Sequence, residues 1–371
     1  MKIYPSLIVI LLLCPACMVI QSRSPSTGLW ITPTFNVGST REPQVIVSNP
    51  PIITPTSTTI TPNPKPFVNC SPTYFGPLAF LTDNTHLLGR SGNSVRIIDL
   101  QTQQEQSWLE LPEAIDNGAL SSDGQALVLA LSDHRIQRYN IANKKLLKTM
   151  TGHTDMITGL KFSTLGDRLF SASHDGWVRI WDKNGKPVDA FQPGGSDDLP
   201  AEVVGIGVSV DGARLATIAS EGPMKLWNLV EKKVIAEFAG SISGGYDGSD
   251  VTFSADGQFV AAGLGGGGLI SLWNLNTGAL LWRGGLFAVA FSPDGRLLAY
   301  SDQGSDGDNQ VVLRTADGKD VVRTLVGHPG MIWRVVFSPD GNLLASADDL
   351  ETRIWRVEDG GLWYVRKSSC P

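Results

Sequence analysis

The chain has 371 residues, of which 42% are hydrophobic and 18% charged, and its formal net charge is −6. This composition is typical of a globular protein and excludes a chain that is disordered throughout. The acidic balance, with a pI near 5.4, argues against nucleic acid as the main partner, because phosphate binding requires a basic face. No apolar run reaches the ~20 residues that span a bilayer comfortably.

The first 16 residues have the layout of a secretory signal peptide. Lys2 precedes an apolar core from Leu7 to Leu13, and small residues follow that core. Pro5 and Pro15 leave too short an uninterrupted apolar helix for a signal anchor. The sequence therefore predicts export, with a signal peptide over residues 1–16.

The predicted cleavage region resembles the lipobox of bacterial lipoprotein signals, in which small residues precede a cysteine that becomes lipidated. Ala16 lies directly before Cys17, although Cys14 stands where that family prefers leucine. The resemblance implies a lipid on Cys17 and attachment to the outer side of a bacterial membrane. An ordinary signal peptidase could cut the same bond, and the product would then be a secreted soluble protein. A C-x-x-C redox or zinc site at Cys14 and Cys17 is disfavoured because no partner pair exists.

Residues 17–66 are predicted to be a disordered tether, and residues 67–371 the folded domain. The tether is rich in Pro, Thr and Ser, with few charges and little periodicity. Proline removes backbone donors and favours extended conformations, so the segment serves as a spacer.

From about residue 74 the chain repeats itself. Two landmarks keep step through seven copies at intervals of 38 to 46 residues: a turn of the type "FSPDG", and later a Trp-Asp-like ending. The turns end at Asn84, Gly124, Gly166, Gly212, Gly257, Gly295 and Gly341. The endings begin at Ile98, Tyr139, Trp181, Trp227, Trp273, Arg314 and Trp355. Alternating apolar residues between the landmarks predict short strands.

This repeat is similar to that of the WD40 family. The resemblance implies an all-β fold, a seven-bladed β-propeller with four antiparallel strands in each blade. One small sheet cannot bury both of its faces, so the large apolar residues are expected between blades. Trp181, Trp227, Trp273 and Trp355 are therefore predicted to be core residues.

The resemblance also implies hydrogen-bonded structural tetrads in two blades. In blade three the set is His153, Ser171 (or Ser173), Asp175 and Trp181, and in blade seven it is His328, Ser346, Asp349 and Trp355. A His–Asp–Ser trio also occurs in hydrolases, but no G-x-S-x-G turn presents a nucleophile here. We therefore predict no catalytic residues, no enzyme activity and no cofactor.

Two loops invite other interpretations. The glycine-rich stretch 263–269 lacks a lysine and opens no helix, which favours a flexible turn over a phosphate site. Asp302, Asp306 and Asp308 are a weak candidate for a Ca²⁺ site, since carboxylates are the ligands that Ca²⁺ prefers.

The expected function is that of a non-catalytic, exported scaffold that binds protein partners through one face of the propeller. Met156, His174, Trp177 and Trp333 are the predicted partner-binding residues, because Met and aromatic side chains are enriched at interface cores. The alternative is a propeller enzyme, or a ligand- or cofactor-binding sensor of the hydrolase-like or TolB-like kind.

Cys70 and Cys370 flank the predicted propeller. Blades one and seven each contain a full set of four predicted strands, so the ring is expected to close without an N-terminal strand that completes its last blade. No covalent loop would then join blade seven to blade one. We predict that a disulfide between Cys70 and Cys370 replaces that loop, which the oxidising conditions outside the cytosol permit. The alternative is an unpaired tail cysteine.

Overall fold

The computed structural model describes residues 75–368, apart from 197–198, 221, 239–249 and 264–268, together with short strands at 12–14, 17–19 and 67–70. The chain divides into two compact units, Met1–Ile60 and Thr61–Pro371. In the first unit, β1 (Leu12–Cys14) pairs antiparallel with β2 (Cys17–Val19). Ala16 and the bulk of the predicted tether lie outside the described residues. Among the residues described, no helix is long and apolar enough to cross a membrane.

The second unit contains seven sheets of the same topology, each with four antiparallel strands in chain order. We call the strands a to d from the first to the fourth, and each sheet a blade. Blades one to three comprise β4 (Gly76–Phe80), β5 (His86–Ser91), β6 (Ser94–Asp99), β7 (Glu105–Glu110); β8 (Ile115–Leu120), β9 (Ala126–Leu131), β10 (Ile136–Asn140), β11 (Leu146–Met150); β12 (Ile157–Phe162), β13 (Arg168–Ser173), β14 (Val178–Asp182) and β15 (Pro187–Phe191).

A short hairpin, β16 (Gly195–Ser196) and β17 (Leu199–Pro200), connects blade three to blade four. Blades four to seven comprise β18 (Val203–Val208), β19 (Arg214–Ala219), β20 (Met224–Asn228), β21 (Lys233–Phe238); β22 (Val251–Phe253), β23 (Phe259–Gly263), β24 (Ile270–Asn274), β25 (Leu280–Gly284); β26 (Val289–Phe291), β27 (Leu297–Gln303), β28 (Asn309–Thr315), β29 (Val321–His328); β30 (Arg334–Phe337), β31 (Leu343–Ala347), β32 (Glu351–Arg356) and β33 (Leu362–Lys367).

The blades form a closed ring. Each strand a contacts strand a of the next blade, including β30 with β4, so these strands surround a central channel. Seven apolar clusters fill the ring, and each cluster draws its residues from two neighbouring blades. The predicted seven-bladed β-propeller is therefore confirmed.

The repeated "FSPDG" turn has a local physical cause. In blade seven, the Ser338 hydroxyl donates to Asp340 Oδ1 at 2.6 Å and accepts from the Leu343 amide at 2.9 Å. The last residue of the turn adopts a left-handed backbone, with φ between 66° and 74° at the six glycines and 58° at Asn84. Glycine tolerates this region without strain and asparagine tolerates it better than most residues, which explains why these two types recur.

The Trp-Asp-like endings place a hydrophobic residue beside a turn-forming one. Trp181, Trp273 and Trp355 are at most 3% exposed and pack against the preceding blade. Trp227 is only partly buried, and its indole donates to the Thr217 hydroxyl at 2.9 Å. In blades three, four and five the residue after the tryptophan caps the next turn, as in blade three, where Asp182 Oδ1 accepts from the amide of Asn184 at 2.8 Å.

The strand β3 (Phe67–Cys70) was not predicted. The four strands of blade seven do lie within residues 334–367, but β3 adds a fifth strand, parallel to β33, outside them. In this register Phe67 pairs with Tyr364, and Cys70 pairs with Lys367. The expectation that blade seven needs no N-terminal strand to complete it is correct, but the ring closes with an N-terminal strand added to that blade.

Candidate functional site

One end of the ring carries the predicted functional residues. Because strands alternate in direction, the loop that precedes strand a and the turn between strands b and c lie at the same end of each blade. We call this end the b–c face. In blade three it includes residues 151–156 and 173–177, and in blade seven residues 329–333 and 348–351.

The blade-three residues form a continuous hydrogen-bond network. His153 Nδ1 lies 2.8 Å from Asp175 Oδ2, and its Nε2 lies 2.8 Å from Ser171 Oγ. The Trp181 indole donates to the same hydroxyl at 2.9 Å. We assign the neutral Nδ1–H tautomer from this pattern, since the imidazole then donates to the carboxylate and accepts from serine. The network joins the loop before strand a to strands b and c.

Blade seven has the same network with one change from the prediction. His328 Nδ1 lies 2.9 Å from Asp348 Oδ2, His328 Nε2 lies 2.6 Å from Ser346 Oγ, and the Trp355 indole donates to that oxygen at 2.8 Å. The prediction that Asp349 is the acid of this tetrad is wrong. The buried Asp348 contacts His328 instead, whereas Asp349 is exposed. The b–c turn is one residue shorter in blade seven. Trp355 follows Ser346 by nine positions, whereas Trp181 follows Ser171 by ten.

The two carboxylates of these networks, Asp175 and Asp348, have a pKa below that of an ordinary aspartate. Burial opposes ionisation of Asp348, but hydrogen bonds from His328 and from the Gly330 and Glu351 amides outweigh it and lower its pKa. The pKa of Asp175 is lowered in the same way, with His153 as the side-chain donor.

The networks are structural in their geometry. Ser171 and Ser346 are both 0% exposed, so a substrate cannot reach either hydroxyl. Among the described residues, the one group of three side chains placed to hold a metal is His328, Asp348 and Glu351. Both nitrogens of that histidine are already hydrogen-bonded, and Glu351 pairs with Arg353. This group is therefore accounted for by the network and its neighbours.

The predicted Ca²⁺ site is not formed. Asp302 lies on β27, whereas Asp306 and Asp308 lie in the following turn and are exposed. Their carboxylates do not form a cluster of potential ligands in the part of the chain that the structure describes. The hairpin is instead closed by backbone bonds such as Gly304 N to Asp308 O at 2.8 Å.

The four predicted partner-binding residues all lie on the b–c face. Trp333 is 38% exposed, whereas Met156, His174 and Trp177 are half-buried. The Arg179 guanidinium lies 5.7 Å from the centre of the Trp177 ring, and His174 approaches Glu202 at 4.0 Å. These contacts hold His174 and Trp177 in place and leave Trp333 as the most accessible aromatic of the set.

Three further apolar residues join Trp333, and the sequence reasoning missed them. The Phe287 ring lies 4.9 Å from the Trp333 ring, centre to centre, and Met331 and Leu350 are 40% and 49% exposed. We call Phe287, Met331, Trp333 and Leu350 the blade 6–7 patch. The repeat contains a usable signal, because Phe287 and Trp333 each precede an "FSPDG" turn by the same number of residues.

Exposed aspartates lie on the same face as the patch. Asp349 lies beside Leu350 and is exposed, and so are Asp306 and Asp308 in the b–c turn of blade six. A face that carries both exposed apolar side chains and exposed carboxylates is complementary to a partner segment with apolar and basic side chains.

Only one of the two cysteines of the predicted disulfide lies among the described residues. Cys70 ends β3 and lies opposite Lys367 in the parallel register. Lys367 precedes Cys370 by three positions in the sequence. Cys370 itself lies outside the described residues. Cys17 begins β2, and the lipidation of its side chain stays a prediction.

Comparisons with known proteins connect the repeat to WD40 sequences. The family "WD domain, G-beta repeat" matches residues 144–182 and 319–356, which each begin near strand d of one blade and end at strand c of the next. These two segments contain both tetrads.

Individual relatives are more distant. The chain is 36% identical over 104 residues to the transcription factor unc-37 of Caenorhabditis elegans, which covers 28% of this chain and 17% of that protein. It is 31% identical over 189 residues to the WD repeat-containing protein SL1-17 of Schistosoma mansoni, covering 49% of this chain and 58% of that one. The chain thus spans less than two thirds of the length of these relatives.

A solved structure with the same fold comes from the crystal structure of a mitotic checkpoint complex. One chain of that complex superposes with a TM-score of 0.65 at 19% identity, covering 86% of this chain and 99% of that one. At this identity the likeness concerns the fold alone. The repeat matches and the closed ring of blades together support the prediction of a WD40 propeller.

Proposed function

We propose that the protein is a non-catalytic WD40 scaffold that binds a protein partner on the b–c face. The observation that carries this proposal is the blade 6–7 patch, where Met331, Trp333 and Leu350 are exposed on a face that also carries exposed aspartates. Matches to WD repeat proteins support a scaffold, since the sequence similarity lies in repeats and includes no nucleophile motif. The partner's contact segment is expected to be apolar and basic.

The partner site is tested by crosslinking in intact cells, followed by purification of the full chain and mass spectrometry. The double variant Trp177→Ala/Trp333→Ala is expected to lose the partner recovered with the wild type, because truncation of a central aromatic anchor costs about 2 kcal/mol or more, roughly 30-fold in affinity. Leu165→Ala is the control, since Leu165 is 82% exposed in the a–b turn at the opposite end of blade three. An unchanged set of partners in the tryptophan variant would show that another surface binds them.

We also propose that the protein is exported and attached to the bacterial envelope through a lipid on Cys17. The lipobox-like segment before Cys17 supports this proposal. In fractionated bacteria, the wild type is expected in the membrane pellet, and Cys17→Ser is expected in the soluble fraction, because the variant lacks the acceptor thiol. A Cys17→Ser chain that stays in the pellet as the wild type does would contradict lipid attachment.

A further inference from the structure

The turns between strands c and d lie at the end of the ring opposite the b–c face, because the strands alternate in direction. Each of these turns leads into the start of strand d, the repeat strand furthest from the central channel. The turn and the first two residues of strand d form one segment, which occurs once in every blade. The seven copies lie around the outer edge of that end and can be compared blade by blade.

In blades two, three and four this segment is basic. It comprises residues 141–147 ("IANKKLL"), 183–188 ("KNGKPV") and 229–234 ("LVEKKV"). These residues contain six lysines and one acid, a net charge of +5, and every lysine is exposed. We call the three segments the basic edge.

The other four blades carry the opposite charge at the same position. Their segments contain one lysine and five acids, a net charge of −4. The residues concerned are 100–106, 275–281, 316–322 and 357–363. The one lysine, Lys319, pairs with Asp317 at 2.8 Å. Since these four turns form without an excess of lysine, the repeat does not require the charge of the basic edge.

Little of the positive charge on the basic edge is neutralised within the protein. Lys232 pairs with Asp189, with 2.6 Å between Nζ and Oδ2. In the part of the chain that the structure describes, no ion pair within 4 Å joins the other five lysines to an acid. These five are Lys144, Lys145, Lys183, Lys186 and Lys233. Their ammonium groups are therefore available to an anionic partner.

Apolar side chains stand among these lysines. Val230 is 83% exposed in the turn of blade four. Four more are exposed at or near the start of strand d, namely Leu146, Leu147, Val188 and Val234. The basic edge contains no aromatic residue on which a nucleic-acid base could stack. Exposed lysines beside protruding aliphatic side chains are instead the composition of protein surfaces that lie in a membrane interface.

We propose that the basic edge binds the surface of an anionic lipid bilayer. The lysines attract the acidic headgroups, and the aliphatic side chains enter the boundary between headgroups and acyl chains. The three segments lie at one end of the ring in consecutive blades, so one flat surface can contact them together. With this end on a bilayer, the b–c face is directed away from it and stays accessible. The proposal rests neither on a partner at the b–c face nor on a lipid at Cys17.

The test is co-sedimentation of the full chain carrying Cys17→Ser, so that an attached lipid plays no part. Phosphatidylcholine vesicles with about one third phosphatidylglycerol should bind much more of this chain than vesicles of phosphatidylcholine alone. About 0.5 M NaCl should release it, since salt screens the attraction between exposed charges. The same salt wash of fractionated bacteria distinguishes this binding from a lipid at Cys17, which holds the wild-type chain in the pellet.

The triple variant Lys145→Gln/Lys186→Gln/Lys233→Gln removes one lysine from each of the three blades. It should lower the vesicle partition coefficient about 100-fold, because each lysine near an anionic surface contributes about fivefold. Arginine at the same three positions should bind as the parent chain does, since the attraction depends on the charge. All three lysines are exposed, so these variants are expected to fold.

The matched control is Arg296→Gln/Lys319→Gln/Lys367→Gln. It removes three exposed cations from blades six and seven and has the same net charge as the first triple variant. It should bind vesicles as the parent chain does. An equal loss in this control would mean that overall charge decides the binding, and the proposal would then be wrong. No preference of the parent chain for anionic vesicles would overturn it as well.

The double variant Leu146→Ser/Val230→Ser separates a bilayer from other polyanions. It should lower vesicle binding about tenfold, because two aliphatic side chains no longer leave water. Binding to a short duplex DNA should be weaker than binding to anionic vesicles and should not change in this variant. Unchanged vesicle binding, or tighter binding to DNA than to vesicles, would show that the basic edge is a site for a soluble polyanion and would overturn the bilayer proposal.

Discussion

Replacing Glu105 with alanine is expected to reduce the free energy of unfolding by about 3–5 kcal/mol, because it removes the acidic half of a buried ion pair. Glu105 lies on β7 of blade one, with its side chain only 4% exposed. Its carboxylate accepts from Arg366 of blade seven at 2.9 Å and 3.2 Å, and it also pairs with Arg96. Arg366 is 0% exposed, and its guanidinium lies 5.1 Å from the centre of the Phe75 ring.

The measurement is chemical denaturation of the full chain with Glu110→Ala as the matched control. Glu110 lies on the same strand and is exposed, so its removal should change stability by less than about 0.5 kcal/mol. The double variant Glu105→Leu/Arg366→Met should regain much of the loss, since it removes both buried charges. A loss below about 1 kcal/mol in Glu105→Ala would show that this pair does not hold the two blades together.

Reduction of the predicted Cys70–Cys370 disulfide is expected to have an effect of similar size. On the chain-entropy model, loss of a disulfide that closes a loop of about 300 residues lowers the free energy of unfolding by roughly 5 kcal/mol. The backbone of Cys70 lies opposite Lys367, which precedes Cys370 by three positions in the sequence. Denaturation should therefore show the oxidised full chain to be more stable than the reduced chain.

Two controls identify the bond. Cys370→Ser should match the reduced wild type, and a reducing agent should have no further effect on that variant's propeller. Proteolysis without reduction should release one linked peptide pair that contains Cys70 and Cys370. Recovery of the Cys370 peptide with a free thiol from the oxidised protein would contradict the bond.

The fold was predictable because its determinants are local and repeated. Each "FSPDG" turn needs a left-handed residue at its end, and the tryptophans of blades three to five are each followed by a turn cap, so both features are visible in the sequence. The position of Asp348 was not predictable by analogy, since a turn one residue shorter changes which aspartate faces His328. Spacing along the chain does not determine side-chain direction within a turn.

The features that the sequence does not reveal depend on contacts between distant residues. The Glu105–Arg366 pair joins positions 261 residues apart, and Arg334 of blade seven lies 3.6 Å from Asp250 at the start of blade five. The pairing of β3 with β33 is equally remote, and four residues give too short a pattern to distinguish an added strand from the end of a tether. Only the closed ring brings such residues together.

The parallel pairing of β3 with β33 has a consequence for how the ring is completed. Translation produces β3 and blade one first, whereas the partners that close the ring come last: Thr352, which donates to the carbonyl of Phe75, is 277 residues further on. Contacts this distant are slow to form, and an unpaired strand can template association with other chains in the meantime. β3 therefore has no partner within blade seven until β33, the fourth strand of the seventh blade, has been synthesised.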